Sequence, residues 1–166
     1  MLKMVGIGLV LCGSASFGIG KAMQFYRQMR QLREFYNALE ILKCEMNYSL
    51  AELPKLCKLT AKRSGRTASQ FLLDYADALD AGLPRTKAAQ RAVEKVNLPP
   101  DACMTLLELF GALGRYELAG ENNLIQLSQH RLKASLERCE QEKKPLAKAY
   151  ATLGLCTGIA LVILMV

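Results

Sequence analysis

Apolar positions through the middle of the chain recur with a helical period, and no run alternates with the period of a strand. Leu32, Phe35, Leu39, Leu42 and Met46 advance by three and four residues, which places them on one stripe of a helix. That helix is predicted to leave the first uncharged stretch without a break, with Arg33 and Glu40 on its polar face. "SLAE" (Ser49 to Glu52) has the form of a capping box, so a short helix should follow with Leu53, Leu56, Cys57 and Leu59 inward and Pro54 in its first turn. Gly65 suits a left-handed stop for it. "TASQ" (Thr67 to Gln70) is a second capping box, opening a helix through Phe71, Leu72, Tyr75 and Leu79 that Gly82 and Pro84 close. Another short helix is expected over 86–96. "NLPPD" breaks it, and Asp101 is the expected cap of the next, through Leu106, Leu107 and Phe110. "FGALGRYELAGENN", with Gly111, Gly114 and Gly120, leaves the pattern and is the predicted hairpin turn. From Glu121 the helical pattern returns as far as Pro145, which should bend or restart it. The fold class expected is all-α, a compact bundle of five to six helices.

The two ends differ from the middle. Met4 to Gly20 is a run of 17 uncharged residues and Ala149 to Val166 one of 18. A helix of roughly 20 apolar residues, or as few as ~17, crosses a bilayer. The expected organisation is an N-terminal transmembrane helix (1–21), a helical bundle (22–148) and a C-terminal transmembrane helix (149–166). The first run is also compatible with a signal peptide, "MLK" being its charged start and "GSAS" its cleavage region. Against that, "FGIG" resumes the apolar character beyond the supposed cut. Lys3 stands alone outside the first run, whereas Lys21, Arg27, Arg30 and Arg33 follow it, and Lys143, Lys144 and Lys148 precede the second. Both arrangements put the middle in the cytoplasm and both termini outside it.

Composition narrows the chemistry. All 15 acidic residues and 20 of the 22 basic ones fall within 22–148 of a 166-residue chain. Six cysteines, none in a C-x-x-C or knuckle spacing, read as free thiols in a reducing compartment. His130 is the one histidine, without a partner nucleophile or ligands at metal spacing, so no catalytic residue, metal or cofactor is expected. "GRYELAGE" lacks the Lys-Ser/Thr ending of a phosphate loop and is either a plain connector or a docking surface. Asp74, Asp77 and Asp80 share a helix face, solvated or facing a basic partner. Lys55, Lys58, Lys62, Arg63 and Arg66 form a basic patch for solvent, anionic lipid or an acidic protein. With no aromatic residues interleaved, nucleic acid is not the expected partner, despite a net charge of +7. Gly8, Cys12, Ser16 and Gly20 recur every four residues, and Gly154 and Gly158 form G-x-x-x-G. Such stripes let membrane helices approach closely, either within one chain or between copies in a homo-oligomer.

Several short stretches, taken in order, carry a resemblance: "MLKMVG", Gly18, "RQLR" (Arg30 to Arg33), Leu39, Leu42, Glu45 and Tyr48 of "EMNY", then "FGALGRYE", and finally Lys148, Leu153, Gly154 and Gly158. Together they resemble the stage III sporulation protein AB family of endospore-forming bacteria over almost the whole chain, with little contribution from 64–100. Glu52 stands where that family has proline, Glu117 where aspartate is typical, "AGENN" replaces a glutamine-bearing run, and the glycine-rich segment is one residue shorter. The resemblance implies a bundle like the type II secretion F-domain, in the mother-cell membrane facing the forespore. It implies a non-enzymatic platform that docks a cytosolic secretion-type ATPase, stage III sporulation protein AA, beside the other channel subunits of the same operon. Gly114, Arg115, Glu117 and Glu121, with Asp74 and Asp77, are the docking residues expected on that reading. The rival is a membrane-tethered module binding anionic lipid or nucleic acid through residues 55–66.

Overall fold

The computed structural model describes the backbone of residues 2–49, 51–115 and 117–143, and within those ranges the side chains of Met23 and of 26–141. The stripe predicted from Leu32 to Met46 is buried along its whole length and belongs to α1 (Leu2–Tyr48), a helix of 47 residues. Five more α-helices follow: α2 (Leu53–Arg63), α3 (Arg66–Asp80), α4 (Arg85–Val93), α5 (Pro100–Ala112) and α6 (Leu118–Arg138). A π-helical turn, Cys139–Lys143, ends the described chain. Among the described residues there is no strand. The chain divides into two compact units, Met1–Met29 with Arg138–Val166, and Arg30–Glu137.

Within 30–137, three aromatic contacts tie α1, α3 and α5 together. Phe71 meets Phe35 edge-on at 5.2 Å between ring centroids and meets Phe110 at 4.9 Å, while Tyr75 meets Phe110 at 5.0 Å. All four rings are buried, and edge-to-face contacts of this kind add to the gain from burial alone. α2 packs on α3, α3 on α4, and α4 on α5 through a row of buried alanines, Ala88, Ala89 and Ala92. α6 runs antiparallel to α1. Asn122 donates to Asn47 at 2.9 Å and Gln129 donates to Glu40 at 2.7 Å, so seven residues on along α6 is seven residues back along α1.

Helix ends depart from the local signals. Neither capping box forms: α2 begins after Glu52 without a side-chain cap, and α3 begins after Gly65. Gly65 is not left-handed (φ −63°) but stands at the N-terminus of α3, where the Glu34 carboxylate of α1 accepts from the Thr67 amide at 2.9 Å. A Cβ on Gly65 would lie 2.5 Å from Glu34 Cγ, so glycine is needed for this approach. A carboxylate 33 residues away therefore does the work expected of the Thr67 hydroxyl. α5 starts at Pro100, with Pro99 before it and Asp101 inside the first turn rather than at the cap. α4 ends at Val93, three residues short of the expected limit. The hairpin turn is also tighter than expected, since Gly111 lies in α5 and Gly120 in α6.

Among the described residues no helix is long and apolar enough to cross a membrane. The side chains of the first uncharged run, including Gly8, Cys12, Ser16 and Gly20, lie outside the described residues. So does the whole of 149–166, with Gly154 and Gly158, and so does Pro145.

Replacing Glu34 by alanine uncaps α3, at an expected cost of about 1–2 kcal/mol. A urea midpoint for Glu34→Ala equal to that of the wild type would show the cap to be inconsequential.

Candidate docking site

The expected docking residues meet at the turn between α5 and α6, and the way α5 stops determines how they are presented. The next rung of its hydrogen-bond ladder would join the Phe110 carbonyl to the Gly114 amide. Instead, the buried Tyr75 hydroxyl donates to the Phe110 carbonyl at 2.7 Å, and the Gly114 amide donates to the Glu121 carboxylate. The chain leaves the helix at Leu113, which is extended (ψ 137°), and the left-handed Gly114 (φ +79°) completes the turn. Arg115 and Glu117 are then exposed, as is Leu118. Glu121 is buried, because its carboxylate closes the turn, so it is not a surface residue as the sequence suggested. The Arg85 guanidinium packs over Gly114, 3.3 Å from where a Cβ would sit.

The acidic face and the basic patch meet at one residue. Lys58 bridges Asp80 at 2.6 Å and Asp77 at 3.4 Å, and these contacts hold its ammonium above the ordinary lysine range. Lys95 pairs with Asp74 at 3.0 Å, and Arg63 with Glu45 at 2.8 Å. The seam fastens α2 to α3, α3 to the segment after α4, and α2 to α1. Asp74 and Asp77 are thereby engaged within the bundle, and of the basic patch Lys55, Lys62 and Arg66 point outward without an ion pair to another described residue. Helical spacing places the three aspartates on α3 and four of the five basic residues on α2. It carried no information on what lies across from them.

Among the described residues no group of three or more His, Cys, Asp or Glu could hold a metal ion. His130 is exposed, in a polar groove with Tyr36, Lys43 and Lys133. Burial pushes the Cys57 thiol up to about 12 and raises the Tyr75 phenol and the Cys103 thiol as well, the opposite of activation. The residues that shape the turn, Tyr75 and Arg85, carried no local signal of that role. Each acts across the bundle on a backbone far from it in sequence.

Comparison with known proteins gives consistent results. The family described as stage III sporulation protein AB matches residues 3–166. Stage III sporulation protein AB of Bacillus subtilis (strain 168) is 25% identical over 170 residues, spanning 99% of this chain and 99% of that protein. A solved structure of a stage III sporulation protein AB superposes with a TM-score of 0.63 at 22% identity, covering 72% of this chain and 98% of that one, and shares its fold.

Gly82 and Gly114 both have positive φ, but only Gly114 has a neighbour in the space a Cβ would occupy. Alanine at either is expected to cost about 1–2 kcal/mol from the backbone, and Gly114→Ala should cost more because Arg85 must also move. Equal urea midpoints for the two variants would contradict the packing of Arg85 on the turn. The Cys57 thiol ionises at its ordinary 9.0 in the unfolded chain and at about 12 when folded. Its contribution to stability is therefore complete below pH 9 and falls as pH rises from there. Between pH 8 and 10, Cys57→Ala should lose less stability than the wild type, by at most about 1.4 kcal/mol per pH unit. Parallel losses in urea titrations would place the alkaline sensitivity elsewhere.

Proposed function

The chain belongs to the stage III sporulation protein AB family and serves in sporulation, and from that premise we propose that it is a non-enzymatic, membrane-anchored platform docking a cytosolic secretion-type ATPase. The ATPase resembles stage III sporulation protein AA, and the platform works beside the other channel subunits of its operon. On this reading it lies in the mother-cell membrane facing the forespore, its F-domain-like bundle (22–148) in the cytoplasm and both termini on the other side. The residues 1–21 and 149–166 are its transmembrane helices, and membrane lipid is their surroundings.

The observation that carries the reading is the pair formed by α1 and α6. α1 is a single helix from Leu2 to Tyr48, about 70 Å long at 1.5 Å per residue. It joins the first uncharged run to the bundle without a loop that would absorb movement. Its antiparallel course beside α6 supports a hairpin. Both chain ends also fall in one compact unit. Gly8, Cys12, Ser16 and Gly20 would then face a second helix bearing Gly154 and Gly158, in the same chain or another copy. The cytosolic orientation rests on the flanking lysines and arginines. Movement imposed on the bundle would reach the membrane through these two helices.

A second reading, contact with anionic lipid, is favoured by the outward Lys55, Lys62 and Arg66. It is compatible with the first, since a bundle tethered to a membrane brings its basic face near headgroups.

The full chain in detergent micelles, titrated calorimetrically with the purified ATPase, should bind saturably. Glu117→Arg should weaken that binding about tenfold or more, as expected for a charge reversed at a contact. Wild-type affinity in Glu117→Arg would move the interface off the turn. Absence of binding, with retention on anionic but not zwitterionic vesicles, would leave the lipid reading and remove the platform.

A further inference from the structure

Between α1 and α6 lies an open groove of 360 Å³, with Tyr36, Glu40 and Lys43 on one wall and Gln129, His130 and Lys133 on the other. Residues three and four apart share a helix face, so each helix presents one row of polar side chains to this space. The helices are antiparallel, with Asn47 beside Asn122 and Glu40 beside Gln129. In that register Lys43 and Lys133 stand at opposite ends of the groove, about 10 Å apart along its axis at 1.5 Å per residue. His130 stands between their levels.

The charges lining the groove are unbalanced. Glu40 is its one carboxylate, and the Gln129 amide, buried at 7% exposure, donates to it at 2.7 Å. Lys43 and Lys133 have no ion pair to another described residue, and the His130 ring and the Tyr36 hydroxyl have no hydrogen bond to one. Elsewhere, cations at helix contacts are matched: Lys58 with Asp77 and Asp80, Arg63 with Glu45, and Arg131 with Glu108. Two ammonium groups directed at one concavity repel each other, and an anion between them turns that repulsion into attraction.

We infer that this groove binds a phosphate group, held between the Lys43 and Lys133 ammoniums with His130 and the Tyr36 hydroxyl donating from opposite walls. Each ammonium is a point charge on a flexible stem, so both can close on one ligand from the two ends. A phosphate accepts donors from several directions at once. A carboxylate is planar and is matched best by the fork of an arginine, and the groove has none. The outward Lys55 and Lys62 of α2 share the charge of this lining but not its second wall.

His130 is the one histidine of the chain, so its C2 proton reports on the groove in the tag-free full chain in zwitterionic micelles. Titration with pyrophosphate at fixed pH and ionic strength should move that resonance saturably, whereas potassium chloride alone should not. Lys43→Gln and Lys133→Gln should each weaken pyrophosphate about tenfold or more, the loss of a charge-assisted hydrogen bond, while Lys62→Gln stays within about twofold. Lys133 is exposed and Lys43 half-buried, so thermal melts by circular dichroism should stay at the wild-type value. A second arm mixes short-chain phosphatidic acid into the micelles. A shift with pyrophosphate supports the site and assigns it to a soluble phosphate compound, and a shift with phosphatidic acid alone supports it and assigns it to a lipid headgroup. An unmoved His130 resonance in both arms would overturn the inference. So would wild-type affinity in both groove variants, or equal weakening by Lys62→Gln, which would reduce the effect to general screening. Glutarate bound as tightly as pyrophosphate would make the groove a seat for carboxylates and overturn the assignment to phosphate.

Discussion

The edge-on contacts of Phe71 with Phe35 and Phe110 are the constraint from which the bundle follows. α2, α3, α4 and α5 have between 9 and 15 residues each, lengths at which isolated helices are marginal in water even with favourable composition. They persist because each gives an apolar face to a shared interior. Phe71 lies where three of the helices meet, held from the α1 side by Phe35 and from the α5 side by Phe110. Once α3 is fixed there, its neighbours fall into place. Glu34 reaches the first turn of α3 from α1, Lys58 of α2 finds Asp77 and Asp80, and Tyr75 arrives at the end of α5. Interactions that look separate on the surface thus depend on one buried junction.

Much of this architecture was legible in the sequence. The stripe from Leu32 to Met46, the inward Phe71, Leu72 and Tyr75, and the break at Pro99 and Pro100 follow from a 3.6-residue period and the chemistry of proline. Element number was legible for the same reason, because each helix carries its own period. What the sequence did not disclose is satisfied at a distance. Ser49 and Thr67 had the right neighbours for capping boxes, but α3 takes its cap from Glu34, and α2 has no side-chain cap. The docking residues divide along the same line. Arg115 and Glu117 are outward as polar loop residues tend to be, whereas Glu121 is drawn inward by an amide seven residues before it.

The seam between α1 and α6 shows how specificity is distributed. Asn47 with Asn122, and Glu40 with Gln129, are polar pairs between the two helices flanking the short ones. Apolar contacts alone tolerate sliding by a turn. A donor that must find its acceptor does not, and polar pairs between helices commonly fix register at some expense in stability. For the two helices that flank the short ones in the chain, a fixed register is worth more than a slightly tighter seam.

The end of α5 has a consequence for how sequence change would propagate. The Phe110 carbonyl and the Gly114 amide are natural partners in a helical ladder, separated here because Tyr75 and Glu121 take one each. The helix is stopped by competition rather than by a residue unable to continue it, and a longer α5 is a latent alternative within the same chain. Drift at position 75 or 121 would shift that balance without altering a single residue of the turn. The direction in which Arg115 faces is inherited from a tyrosine on another helix, so the surface this protein shows its surroundings depends on positions no partner could touch.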